Sequence, residues 1–426
     1  MKKQLLNIVL IVLHLLISII TSAQVSTNGR NIVVNGKNYI IRGVTYNPVP
    51  IGSSVRSWAS LTQDIALMKE AHINTVRIYT PVDDVSVLDA FSNAGIKLII
   101  GIGYNSNGNT AFPYDILSGS FITYINKYKT HPAILLWELG NEYNYHPEWF
   151  SGNVANWYTA LNDAAAKVHQ NDSGHPAATA HGELPNDQAR NSCPNVDVWG
   201  MNVYRGDNPS GIFPQWAAVS GKPMYLSETG ADSYMTISQR GYAVGPNEGM
   251  QADAVSVILG NVFKAIDVNS GVCLFSFVDE WWKAGNNNTQ DIGGSAPNSS
   301  AIPYDGTTNE EYYGILDIKR NRKKAFFSVQ DQYAKAAVLA GVKNNESSTA
   351  LITSIYPNPV ETSLNISTEV HYNKVILLDF TGKVVFSNSK NFEKQFSLDL
   401  SQIHSGAYTL LLQSDKHFCT RKFFKL

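Results

Sequence analysis

The 426-residue chain predicts an α/β protein, a (β/α)8 TIM barrel followed by a small all-β, sandwich-like C-terminal domain. Three observations carry that expectation. Eight short, near-continuous apolar stretches lie between residues 42 and 278, most of them followed by a helical pattern. Strands of a parallel sheet buried on both faces read this way. Polar and aromatic residues gather at or just past the ends of those stretches, where a barrel places its functional groups. Near the C-terminus the apolar residues instead alternate with period two, in "KVILLDF", "KVVFSN", "FSLDL" and "AYTLLLQ". A doubly wound open sheet is the alternative for the first part. It would more often bring a glycine-rich phosphate loop after a strand, and none is present.

The elements follow in order. Lys2 and Lys3, the apolar run from Leu5 to Ile20 and the small residues up to Ala23 have the plan of a signal peptide over 1–23. A retained anchor is the alternative, and the run is short for spanning a bilayer. "IVVNGKNYII" (32–41) is a hairpin turning at Asn35-Gly36. "RGVTYNP" then leads into a helix in which Leu61, Ile65, Leu67, Met68 and Ala71 share a face. The strands "NTVRIYT", "IKLIIGIGYN" and "AILLWEL" alternate with helical patterns in "VSVLDAFSNAG", "FITYINKYKT" and "NVANWYTALNDAAAKVHQ". Strands at 177–181, 196–204, 223–229 and 272–278 complete the set, with "QADAVSVILGNVFKAID" as the helix before the last. From Asp279 to Asp317 runs a loop rich in Asn, Gly and Ser, of a length usual for functional loops. A closing helix ends a barrel domain of 24–340, a polar, unpatterned stretch at 341–354 reads as a linker, and 355–426 form the β-rich module.

Composition is globular, with 44% hydrophobic and 16% charged residues, and a net charge of −2 points to neither nucleic acid nor an anionic membrane surface. The 11% aromatic share, rich in Tyr, suits the C–H faces of sugar rings. Cys193, Cys273 and Cys419 match no metal motif, and their odd number leaves at least one thiol unpaired. Asp279-Glu280 lacks spaced partners for metal ligation. No metal, no cofactor, no retained transmembrane segment and a monomer are expected.

"LLWELGNEYNYHPEW" (135–149) holds three glutamates. Glu138 lies within the apolar strand and reads as a paired structural charge, and Glu148, beyond Pro147, as solvated. Glu142 ends the fourth strand and Glu228 the seventh, 86 residues (228 minus 142) further on. That is close to three βα units of ~30 residues each, so a closed barrel points both into one cavity. Two carboxyl groups facing one bond are what glycoside hydrolysis requires: one protonates the leaving oxygen, and the other attacks the anomeric carbon or activates water against it. Tyr46, Tyr79, Tyr104 and Trp149 also sit where they could stack on sugar or pack in the core, and His181 reads as a satisfied hydrogen-bonding residue.

"WELGNEY" and "MYLSETGA" resemble the acid/base and nucleophile strands of clan A glycoside hydrolases, which are retaining (β/α)8 enzymes. "WGMNVYR" is similar to the sixth strand of that clan, and "FVDEWWKAG" with "NEEYYGILDIKR" to its eighth strand and closing segment. Within the clan, "RGVTYNPVPIG" and "DIALMKEAHINTVRIYT" resemble the family 72 β-1,3-glucanosyltransferases and the barrel of family 2 glycosidases. The cysteines used by family 72 are not matched. The resemblance implies Glu142 as general acid/base, Glu228 as nucleophile and Asn141 as the partner of the sugar 2-OH. It further implies that Arg77 holds Glu228 ionised, that Tyr204 donates to it, and that Trp281 or Trp282 floors the cleaved sugar. With Tyr46, these complete the expected substrate-binding set.

The final module, with "IYPNPVETSLNI", "DFTGKVV", "SGAYTLLL" and "TRKFFKL", resembles the sorting domain of Bacteroidetes type IX secretion cargo. This implies release or outer-membrane surface attachment through that machinery; a carbohydrate-binding β-sandwich is the alternative. The expected protein is thus a secreted retaining β-glycoside hydrolase of polysaccharide or oligosaccharide, with a β-glucan such as β-1,3-glucan as substrate. The alternatives are a β-mannanase or β-galactosidase-like hydrolase, a glucanosyltransferase, or a non-catalytic surface polysaccharide-binding protein.

Overall fold

Asn35 and Gly36 both take left-handed backbone, φ 52° and 75°, as a two-residue hairpin turn requires. They fold β2 (Asn31–Val34) back on β3 (Lys37–Tyr39), and β1 (Val25–Asn28) pairs with the other edge of β2. The computed structural model describes residues 24–104, 113–294, 303–346, 353–380, 382–414 and 418–426. The signal-peptide expectation for 1–23 lies outside them. Val25 and Ile32 of the small sheet are buried against Ile41, Ile99, Leu135, Val198 and Cys273. These belong to the first halves of barrel strands or to their interior, so the sheet stoppers the N-terminal mouth and leaves the opposite end for a site.

The barrel strands are β4 (Ile41–Thr45), β5 (Thr75–Ile78), β6 (Lys97–Ile102), β7 (Ile134–Asn141), β8 (Ala177–Gly182), β9 (Val198–Asn202) and β10 (Met224–Glu228). After a short ribbon, β11 (Tyr234–Met235) with β12 (Gly245–Pro246), β13 (Gly271–Leu274) is the eighth. All neighbours pair in parallel and the ring closes, β10 against β13 and β13 against β4. One helix follows each strand: Leu61–Glu70, Val85–Asn93, Phe121–Tyr128, Val154–Asn171, Asp187–Ser192, Ile212–Val219, Glu248–Lys264 and Lys324–Glu346. Asp84, Asn153, Asn186 and Asn247 cap four of them by accepting a first-turn backbone N–H. Trp157, Leu161, Ala165 and Val168 bury one stripe of the helix Val154–Asn171. The predicted (β/α)8 barrel is therefore present, strand for strand.

The chain divides into two compact units at Tyr333/Ala334. Tyr333 is buried, and its hydroxyl donates to the Gly43 carbonyl, so this helix face belongs to the barrel. The helix continues through 341–346, which read as linker from sequence. The segment has no proline and a single glycine to stop it. The rest of the predicted linker up to 352 lies outside the described residues.

The second unit has two antiparallel sheets. One is ordered β14 (Thr353–Tyr356), β15 (Ser363–Thr368), β18 (Gln395–Asp399); the other β17 (Val384–Phe392), β16 (Tyr372–Asp379), β19 (Gly406–Gln413), β20 (Phe418–Lys425). Leu364, Ile366 and Leu398 of the first share a core with Val375, Leu377, Leu410 and Leu412 of the second, which accounts for the period-two pattern. The three cysteines are free and buried. Among the described residues no helix is long and apolar enough to cross a membrane.

Candidate active site

Glu142 is aimed by backbone geometry before any side chain acts on it. Glu138 pairs with Ala178 across β7 and β8, but Asn141 pairs with Ala180, so β7 carries one extra residue at its end. Such a bulge bends the strand and turns the following side chains. Gly140 takes φ 75° and Glu142 φ 56°. A Cβ on residue 140 would stand 2.6 Å from the Trp157 ring, so Gly140 is needed both for its backbone and for its lack of bulk. The Glu142 amide donates to the Ala180 carbonyl at 2.8 Å. Beyond it Tyr143, Phe150 and Trp157 pack together, with centroids 4.8 Å (Tyr143–Trp157) and 5.3 Å (Phe150–Trp157) apart. Tyr143, with Phe150 and Trp157, anchors the loop that holds the glutamate.

Glu228 is aimed in the same way. Leu226 pairs with Met201 but Glu228 with Asn202, again one extra residue just before the carboxyl group. Arg77, fully buried on β5, joins the two strand ends. Its Nη1 donates to Glu228 Oε1, its Nη2 to Asn141 Oδ1 and its Nε to Glu138 Oε1, each at 2.7 Å. Glu228 Oε1 also accepts from the Tyr79 hydroxyl at 2.8 Å, and Oε2 accepts from Tyr204 at 3.1 Å. Glu138 accepts a further bond from Tyr225. It is thus a buried partner of Arg77, as its place inside the strand suggested.

The two glutamates differ electrostatically. Burial, and next the negative charge of Glu228, push Glu142 up to about 7, against the opposing pull of Asn202, Arg77 and Lys283. Glu228 instead meets a guanidinium and two hydroxyl donors. Two carboxyl groups with environments pushed apart are the mark of an acid and base pair.

Asn141 accepts from both Arg77 Nη2 and Asn202 Nδ2 (3.1 Å) at one oxygen. This fixes its amide so that the NH2 group is left to donate. Trp281 and Trp282 are each half-buried, with indole N–H groups that have no partner among the described residues. Tyr46 goes elsewhere. It is 1% exposed, its hydroxyl donates to Asp64 at 2.7 Å, and its ring packs on Trp58, Phe91 and Phe277, so it presents no face to a sugar. Tyr104 packs on Phe150, and His181 is buried between Tyr158 and the Glu183 carbonyl.

Asn202 was missed from sequence, and two residues named there have other roles: Tyr79, read as a stacking or packing ring, donates to Glu228, and Glu280 was read only as an acidic neighbour of Asp279. Tyr79 lies two residues past Arg77 and Asn202 two residues before Tyr204, so the period-two rule for one strand face could have found both. Glu280 is 2% exposed, and its Oε2 stands 3.6 Å from Lys283 Nζ.

A closed parallel (β/α)8 barrel with two glutamates at the C-terminal ends of strands four and seven is the architecture of a glycosidase barrel. Residues 25–205 match the TIM barrel domain of glycosyl hydrolases family 2, and residues 354–425 match the secretion system C-terminal sorting domain. Of the two families that the motifs resemble, family 2 is the one matched. The C-terminal unit marks the chain for secretion or attachment at the outer-membrane surface. Over 266 residues the chain is 25% identical to the probable beta-glucosidase btgE of Aspergillus flavus and of Aspergillus oryzae, covering 56% of this chain and 39% of each relative. It thus spans well under half the length of the curated relatives it matches. It shares the fold of a GH2 beta-galacturonidase from Eisenbergiella tayi bound to galacturonate (TM-score 0.51, 21% identity, 73% of this chain and 54% of that one). It likewise shares that of a Bacteroides uniformis beta-glucuronidase (TM-score 0.56, 15% identity, 95% and 48%).

Proposed function

We propose that the chain is a secreted retaining β-glycoside hydrolase that cleaves a β-glucan, with β-1,3-glucan as the expected linkage, by double displacement. The observation that carries this reading is the asymmetry of the pair. Glu142 is pushed up to about 7, while Glu228 is salt-bridged to Arg77 at 2.7 Å. In the first step Glu142 gives its proton to the leaving oxygen as Glu228 attacks the anomeric carbon. Oε2, which has one donor against two on Oε1, is the attacking oxygen. Asn141 donates its free NH2 to the sugar 2-OH, an interaction that strengthens in the transition state. Once Glu228 is esterified its charge is gone, and with it one of the two causes that hold the Glu142 proton. Glu142 then becomes the base that takes a proton from water, and water releases the sugar with retained configuration.

Trp281 or Trp282 supplies the floor under the cleaved sugar, and the type IX secretion machinery is the partner of the C-terminal unit. Hydrolysis of laminarin, lichenan, mannan and galactan by wild type, Glu142→Gln and Glu228→Gln tests the assignment. Cleavage of laminarin that is abolished in Glu228→Gln, with the β-anomer as first product by NMR, is expected. Undiminished activity in Glu228→Gln, or an α-anomer first, would overturn it.

A further inference from the structure

Lys283 sits in the loop after the eighth strand with its Nζ 3.6 Å from Glu280 Oε2 and 3.9 Å from Glu310 Oε2. Both are ion-pair distances too long for hydrogen bonds. Among the described residues, both buried oxygens of Glu280 accept no hydrogen bond, and the neighbouring Trp281 and Trp282 indole N–H groups have no acceptor. Buried polar atoms without partners are rare and costly, and a cluster of them suits a ligand whose polar groups satisfy them. The side chains of Lys283 and Glu310 are about one-fifth exposed (20% and 19%), so the cluster has an open side. It faces the cleavage pair: the charge of Glu228 acts on Glu280, Lys283 and Glu310, and that of Lys283 on Glu142. Lys283 also lies over the rings of Phe275 and Trp282, at 4.7 and 5.2 Å.

The missing partners are donors for two carboxylate oxygens and acceptors for two indoles and an ammonium. Sugar hydroxyls are both donor and acceptor, and an apolar ring beside them suits a pyranose. A sugar carboxylate has acceptors only. It would meet Glu280, Glu310 and Glu228 around a single lysine that two of them already neutralise. We infer that Glu280, Lys283 and Glu310 form a hydroxyl-binding subsite that selects a neutral hexopyranoside and rejects a hexuronide. This rests on the glycosidase reading above and deepens it.

The test uses the full chain and two active-site probes, cyclophellitol aziridine and its 6-carboxylate, with labelling of Glu228 followed by mass spectrometry. Wild type is expected to be labelled by the neutral probe about a hundredfold faster, the size of a like-charge penalty of several kcal/mol. Glu280→Gln and the more exposed Glu310→Gln are each expected to shrink that ratio at least tenfold. Circular dichroism identifies any variant that fails to fold, and Glu310→Gln then decides alone. Equal or faster labelling by the carboxylate probe, or a ratio unmoved in the folded variants, overturns the subsite while leaving the glycosidase reading in place. Labelling of Glu228 by neither probe overturns the double-displacement reading, and this subsite with it.

Discussion

Arg77 and Glu228, 151 positions apart in sequence, are joined by a 2.7 Å ion pair with almost no solvent on either side chain. The same guanidinium holds Glu138 and Asn141, so one residue of the second strand sets the relation between the fourth and the seventh. Replacing it with Met leaves Glu138 and Glu228 buried without a countercharge, and breaking such a pair costs about 3–5 kcal/mol. Lysine restores a charge but cannot reproduce a planar fork with three simultaneous acceptors. Arg77→Lys is therefore expected to keep a higher melting temperature than Arg77→Met and yet to lose about a hundredfold in kcat through misplacement of Glu228. A lysine variant with wild-type kcat would show that charge alone suffices.

The pH response follows from Glu142. As an acid it works only while protonated, so kcat/KM on a substrate with a poor leaving group should fall as pH rises through about 7. With a dinitrophenyl leaving group, which needs no proton, that limb should flatten. Stability carries the same sign. The folded carboxyl group holds its proton to about 7 and the unfolded one only to about 4.5, so the folded state loses stability as pH rises between those values. Glu142→Gln, which does not titrate, should match wild type in melting temperature near pH 4 and exceed it at pH 8. The opposite crossing would mean that Glu142 is ionised in the folded protein at neutral pH.

Asn202 acts on Asn141 as well as directly on Glu142. Its amide donates to Asn141 Oδ1, and its own oxygen accepts from Ser227 at 2.7 Å, which holds it in place. In Asn202→Ala the Asn141 amide loses one of the two donors that orient it toward a sugar 2-OH. About a tenfold loss in kcat/KM is expected on a β-glucoside, with a smaller loss on the 2-deoxy analogue, since a hydrogen bond is worth about 1 kcal/mol and only the bond to Glu142 still matters there. Equal losses on both substrates would mean that Asn202 acts through Glu142 or the fold and not through the 2-OH.

The sequence made the barrel legible because its strands are buried on both faces, and the strand-end positions of Glu142 and Glu228 legible because their spacing counts βα units, while their roles came from the resemblance. It hid what aims them. The extra residue before each glutamate is a matter of which backbone pairs with which across strands, as in Glu138–Ala178 against Asn141–Ala180, and no single strand displays its own register. Tyr46 shows the reverse error. A strand-end position does not tell which way a side chain turns, and Tyr46 turns outward to Asp64, which also takes Arg320 at 3.0 Å. Glu280 was legible only as an acidic residue, because the Lys283 and Glu310 that give it meaning lie on a long loop without periodicity.

Gly140 offers the sharpest test of the aiming device. Alanine there must hold φ 75° and place its Cβ within 2.6 Å of Trp157. A strained backbone position of this kind costs about 1–3 kcal/mol, which a barrel of this size survives. The strain is relieved by shifting the backbone that carries Asn141 and Glu142, and a displacement of about 1 Å at the acid is enough for a hundredfold loss in kcat. Gly140→Ala should therefore fold, melt a few degrees lower and lose activity on natural glycosides. The loss should be much smaller with dinitrophenyl glycosides, because Glu228 on the far strand stays in place. Equal losses on both substrates would mean that the change propagates across the barrel through Arg77, whose Nη2 bond to Asn141 is the path open to it.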